Sequence, residues 1–302
     1  MRGRIRLFVA LLLAFWAVAS TAQAQDLGPG FTKVKEGIYV FAAADAATTT
    51  CSFVVTEVGV VMIDSCISPL DSHKMLAAIK KVTDKPIVFL LDTETHNDHI
   101  GSHYIFSPPA IIISHEGGGA AMRKGYNPNR PVTQSPSAEM RDALKGAKLI
   151  VPHIEYKERM TINLGERTFE LIYLKNVHSE ADTAVWLPKE RVLFAASAAN
   201  VRRFINLRPS VVIPDVLASY KLMKSLNPEV VITGHGPVTT TQVFDEYEAF
   251  YSLLLKRVGD MAAQGKPLDE IKRELKMPEY ADWHDQKALG ANIDAAYRSV
   301  KQ

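Results

Sequence analysis

Short β-branched runs, punctuated by Gly and Pro and interleaved with longer amphipathic stretches, constrain this chain most. From Phe31 onward, Val34–Phe41, Ser52–Thr56 and Val60–Ile63 read as strands, and Pro69–Val82 as a helix. Pro86–Leu91 reads as a buried strand, Ile100–Phe106 as the start of a helix and Ala110–Ser114 as another apolar strand. A second round follows. Thr161–Leu164, Thr168–Tyr173, Ala184–Leu187 and Val192–Ala195 read as strands, Val216–Leu226 as a helix and Val230–Thr233 as a strand. Helical periodicity then covers Thr241–Ala262, Leu268–Leu275 and Ala288–Val300. Strands with helices interleaved, repeated once and with no linker between the rounds, predict one α/β domain over residues 25–302, made of two sheets covered by helices. Between the rounds, Glu116–Gly146 is polar and rich in Gly and Pro. It reads as a long functional or mobile connection with a flexible Gly117-Gly118-Gly119 entry and a helical part at Ser137–Leu144.

The ends and the charge set limits. Lys and Arg number 35 against 33 Asp and Glu, so no basic field is available for nucleic acid. Arg2, Arg4 and Arg6 precede the apolar run Leu7–Val18, and Ala22 and Ala24 fit a small-residue cleavage site. Residues 1–24 therefore read as a signal peptide cut after Ala24. The run is short for a membrane span, and no cysteine follows closely to carry a lipid. The expectation is a periplasmic or secreted protein without a stable membrane anchor. Export allows a disulfide, and Cys51 and Cys66 are the only cysteines. A two-residue Val58-Gly59 loop would set them opposite each other at a hydrogen-bonded position; a bridge and a pair of buried thiols are equal readings.

Chemistry concentrates in one segment. Glu94, His96, Asp98 and His99 put four ligand-type side chains into six residues at the carboxyl end of an apolar strand. Extended backbone would aim Glu94, His96 and Asp98 the same way. Imidazole and carboxylate together suit a borderline-soft cation such as zinc. His178, in Asn176-Val177-His178-Ser179-Glu180-Ala181-Asp182, and His235, in Gly234-His235-Gly236-Pro237, each follow a strand, where α/β proteins gather their sites.

In this order the residues resemble the signature of the metallo-β-lactamase-fold hydrolase superfamily. That signature is H-x-H-x-D-H, a distant His, an Asp, Cys or Ser, and a final His; here it is matched by Glu94-x-His96-x-Asp98-His99, His178, Ser197 and His235. The resemblance spans roughly residues 31–240 and implies a four-layer αββα sandwich with metal at one edge. It implies one or two zinc ions, the first held by Glu94, His96 and His178 and the second by Asp98, His99 and His235. Asp98 would orient a metal-activated water for attack on the carbonyl of a small-molecule substrate: a β-lactam-like amide, a lactone or a thioester. Two positions depart from the commonest pattern: Glu94 replaces the first His, and Ser197 stands where many members carry a bridging Asp. Both substitutions resemble a β-lactamase branch of the superfamily. Exported quinoprotein-associated members are a second reading, and a non-catalytic binding protein with a degraded metal site a third.

The remaining candidates read as supporting or structural. Arg202 and Arg203, in the loop after Ser197, either hold a substrate carboxylate or face solvent. Asp64 supports a ligand or hydrogen-bonds nearby backbone. His103 and His115 read as packing residues, and His73, His153 and His284 as surface residues. No motif speaks to oligomeric state.

Overall fold

The computed structural model describes residues 26–42, 49–66, 68–125, 137–175 and 177–301. The expected signal peptide, residues 1–24, lies outside them. Seven strands form the first sheet, in sequence order: β1 Phe31–Lys35, β2 Ile38–Phe41, β3 Cys51–Val55, β4 Val60–Ile63, β5 Ile87–Leu91, β6 Ile111–His115 and β7 Ile154–Tyr156. The first four make an antiparallel meander, and β4 to β7 run parallel. Five strands form the second: β8 Arg159–Leu164, β9 Arg167–Tyr173, β10 Thr183–Leu187, β11 Val192–Phe194 and β12 Val230–Ile232, antiparallel except for the β11–β12 pair.

Side-chain alternation explains why two sheets stack. Successive strand residues point to opposite faces. Ile38, Val40, Val54, Val61 and Ile63 therefore meet Phe169, Leu171, Val185, Leu187 and Phe194 in a core between the sheets. Their neighbours Tyr39, Phe41, Phe53, Val60 and Met62 face the other way, against Met75, Ala78 and Ile79 of α1 (Pro69–Val82). On the far side Ala184, Trp186, Leu193 and Val231 pack beneath α6 (Ile213–Ser225), α7 (Gln242–Ala263) and α9 (Leu289–Lys301). Strands covered on both faces lose polar alternation and read as continuous apolar runs. The result is the four-layer αββα sandwich.

Several elements differ from the sequence reading. Val34–Phe41 is two strands, because Glu36-Gly37 turns with Gly37 at φ 70°. Ile100–Phe106 is two single turns, α2 (Asn97–Ile100) and α3 (His103–Phe106). Glu116–Gly125 is a helix, α4, and α5 spans Ala138–Ala143. The glycines at the start of α4 are sites of close approach. A Cβ on Gly117 would lie 2.2 Å from the Glu180 carbonyl oxygen, and one on Gly118 2.5 Å from Ser114 Oγ. After α6 and α7 come α8 (Leu268–Glu274) and α9. No helix among the described residues is long and apolar enough to cross a membrane.

Cys51 and Cys66 are disulfide-bonded, with Cα atoms 5.1 Å apart. The register differs from the expected one. Val55 pairs with Val60, so the loop is Thr56–Gly59, and continuing the ladder would set Cys51 opposite Asp64 rather than Cys66. Asp64 and Cys66 take left-handed φ of 58° and 66°, which turns the chain out of β4 and returns Cys66 to Cys51.

Candidate metal centre

The ligand-type residues gather where strand ends of both sheets meet. Glu94 and His96 lie in the loop after β5, and His96 is the N-cap of α2 in extended conformation. Asp98 and His99 lie within α2, where each residue rotates by about 100°. The alternation expected over Glu94, His96 and Asp98 therefore stops at His96, and Asp98 faces a different neighbour. His178 comes from the loop after β9, and His235 from the one after β12. Thr50 N–H donates to the Gly234 carbonyl at 2.8 Å, which ties the His235 loop to the first sheet.

Two groups result. Glu94, His96 and His178 form one, and Glu94, His99 and His235 the other, with the donor atoms of each group within 4.8 Å of one another. Glu94 Oε2 contacts His96 Nδ1 and lies 3.7 Å from His178 Nε2, while Oε1 lies 3.0 Å from His99 Nε2. Asp98 Oδ2 is 3.6 Å from His235 Nε2 and 3.9 Å from His99 Nε2. Ser197 Oγ is 3.4 Å from His99 Nε2. The expected first trio is thus together. Glu94 also belongs to the second, which the sequence reading did not anticipate.

Supporting partners fix the rings. Asp64 accepts from Thr93 N–H at 2.8 Å, from Thr93 Oγ1 at 2.7 Å and from His99 Nδ1 at 2.8 Å, so it holds both nearby backbone and the His99 ring. That leaves His99 Nε2 facing the centre. His178 Nδ1 donates to the Asn206 carbonyl at 3.0 Å, and Asp182 accepts the His178 and Ser179 N–H groups. Thr49 Oγ1 donates to Asp98 Oδ2 at 2.7 Å, and His235 N–H donates to Asn200 Oδ1 at 2.9 Å. Sequence reasoning missed Thr49, Asp182 and Asn200 as supports, because their partners are fixed only by tertiary pairing. His103 is buried between Asp92 and the Ile150 carbonyl, and His115 stacks on Tyr173 with ring centroids 3.7 Å apart. His73, His153 and His284 are exposed.

The electrostatics are those of a charged pocket. Burial would raise the Glu94 carboxyl, but His99, His178 and His96 outweigh it and hold it well below the usual carboxylate range. Burial likewise opposes charge on His99, yet Glu94 and Asp64 raise it well above an ordinary imidazole. His235 is pushed down to about 4, first by burial and then by His99. The residues fit a cation. Glu94 is fully buried, and carboxylate and imidazole donor atoms converge on it within 4.8 Å of one another in two groups.

A cleft of about 450 Å³ opens above His96, Asp98, His178 and His235. Its wall includes Asn200 and Arg203, and its rim Asp285 and Lys287 from the C-terminal segment, residues with no sequence signal for this role. Arg203 Nη2 lies 3.4 Å from Asp285 Oδ2. Arg202, by contrast, is half exposed and pairs with Asp282 outside the cleft.

The sequence profile of the metallo-beta-lactamase superfamily matches residues 44–235, well over half the chain and all of the centre. The chain belongs to this superfamily. Among its relatives, the α subunit of a 2,4-dinitroanisole O-demethylase from Nocardioides sp. (strain JS1661) is 24% identical over 59% of this chain and 50% of that protein. A linear primary-alkylsulfatase from Pseudomonas sp. (strain ATCC 19151) is 23% identical over 73% of this chain and 48% of that protein. The chain thus spans about half the length of the curated relatives it matches. Among solved structures, a stereoselective inverting sec-alkylsulfatase from Pseudomonas sp. superposes with a TM-score of 0.66 at 18% identity, over 89% of this chain and 50% of that one. The likeness is one of fold.

Proposed function

We propose that this chain is an exported, zinc-dependent hydrolase of small, activated substrates such as β-lactam-like amides, lactones or thioesters. The observation that carries the reading is the pair of carboxylate–imidazole groups at the floor of an open cleft. Zinc bound there would supply Lewis acidity and a water of lowered pKa. The protein's own groups do the rest. Asp98 is held below the usual carboxylate range because His99 and His235 outweigh burial and the repulsion of Glu94. Fixed by Thr49, it accepts a hydrogen bond from the attacking water and passes the proton towards the leaving group. Arg203 on the cleft wall, through the remaining donors of its guanidinium, orients an anionic substituent of the substrate. The basic and apolar N-terminus supports export, as does the Cys51–Cys66 bond, which suits an oxidising compartment.

A sulfate ester is a second substrate reading. It is favoured by Arg203 in the cleft and by the alkylsulfatases among the relatives. Both readings have one test. Zinc-loaded protein is assayed against nitrocefin, lactones, thioesters and alkyl sulfates, with and without chelator. Chelator-sensitive hydrolysis within one class is expected; none in any class would refute the proposal.

A further inference from the structure

The charge distribution at the base of the cleft supports one step more, which rests on the metal-centre reading above. Glu94 alone among the gathered carboxylates faces both halves of the centre. Its Oε2 addresses His96 and His178, and its Oε1 addresses His99. The side chain is wholly buried, and the polar neighbour of Oε1 is His99 Nε2, at 3.0 Å. Asp98 differs. Its Oδ2 faces His99 and His235 and is occupied by the Thr49 hydroxyl. Ser197, beside His99, brings a hydroxyl and no charge. Two cations held side by side repel each other, and an anion offsets that repulsion most when it lies close to both. A carboxylate does so by giving one oxygen to each.

We propose that Glu94 is a bridging carboxylate, with Oε2 serving a cation at His96 and His178 and Oε1 a second cation at His99 and His235. The centre is then dinuclear through its first motif residue, and the two sites are coupled. Loss of Glu94 weakens both sites at once, whereas loss of His178 weakens one.

The test uses metal content and magnetism rather than turnover. Full-length mature protein is titrated with Co(II) and followed by mass spectrometry of bound metal and by electron paramagnetic resonance. Wild type should bind two ions per chain, and the second equivalent should reduce the signal of the first through exchange coupling. Glu94→Gln should bind at least tenfold more weakly at both sites. Glu94→His restores a ligand to one site only, so the coupling should fall even where two ions bind; His178→Ala should retain one uncoupled ion. Circular dichroism verifies the fold of each variant. Two magnetically independent ions in wild type, a single ion whose affinity survives Glu94→Gln, or coupling unchanged in Glu94→His would overturn the bridge while leaving the metal centre standing. Wild type that binds no metal would overturn the metal-centre reading itself.

Discussion

Asp64→Asn isolates how the protein holds His99. Asp64 is buried and takes three hydrogen bonds, two from Thr93 and one from His99 Nδ1. Asparagine keeps the shape and tolerates the left-handed backbone found there, φ 58°. Its Oδ1 can still accept the Thr93 N–H, but its NH2 then lies where Oδ2 was. A donor now faces His99 Nδ1, so Nδ1 must become the acceptor and the ring proton moves to Nε2. That nitrogen is 3.0 Å from Glu94 Oε1 and is the one aimed into the centre. A protonated Nε2 cannot bind a cation. Outer-shell partners of this kind are worth about 10–100-fold in metal affinity. The metal-free protein loses one of the two carboxylates beside the buried His99 ring, and with it a hydrogen bond to a charged acceptor worth about 1.5–3 kcal/mol. At about 2 °C per kcal/mol for a chain of this size, Tm falls by roughly 3–6 °C. Competition against a chromophoric chelator at neutral pH gives the affinity, and long-range proton–nitrogen NMR gives the His99 tautomer. A variant that binds zinc within twofold of wild type, or that keeps its proton on Nδ1, would refute the reasoning.

Further outcomes follow from the same geometry. Arg203→Ala should lower kcat/KM for anionic substrates by roughly 10–100-fold, the worth of a charge-assisted hydrogen bond. Arg202→Ala, removing an exposed ion pair with Asp282, should change it by less than about twofold. Gly117→Ala should destabilise by more than about 2 kcal/mol in denaturant unfolding, because its Cβ meets a backbone carbonyl at 2.2 Å. Gly125→Ala in the same helix meets nothing within 4 Å and should be neutral or stabilise by about 0.5 kcal/mol. Reducing the Cys51–Cys66 bond, which spans 15 residues, should cost about 3 kcal/mol in the same measurement. His115 is pushed below 6.5 mainly by burial, and its Nδ1 accepts the Gly117 N–H. Its contribution to stability is therefore complete above pH 6.5 and is lost as the pH falls through the depressed folded value; an NMR titration midpoint at or above 6.5 would contradict this.

The long periodic segments were legible in the chain itself. Pro69–Val82 and Val60–Ile63 carry their boundaries in Pro, Gly and a change of period, and both form as read. Ile154–Tyr156 did not read as a strand because three residues show no period, and only its partner β6 defines it. The Gly117–Gly119 run read as flexible, since glycine permits many conformations; in the fold it is helical, and the glycines leave room there for Glu180 and Ser114, which a Cβ would strike. The centre divides similarly. His96, Asp98, His99, His178 and His235 stood out by residue type, order and position after strands. The double-facing Glu94 did not, since spacing reveals that a carboxylate is near but not where each oxygen points. Lys287, more than 100 residues beyond His178, reaches the cleft only because the C-terminal segment folds back over it.

The centre also straddles the seam of the sandwich. Glu94, His96, Asp98 and His99 ride on one leaf, and His178, Ser197 and His235 on the other. Between the leaves lies an interdigitated apolar layer in which side chains from both meet, Leu171 and Val61 among them. The spacing of the seven residues is therefore a gauge of how the leaves sit on each other. A relative shift of the leaves would change every cross-leaf distance in the centre. Substitutions deep in that layer, remote from the gathered residues, should therefore be felt in the cleft as well as in the core.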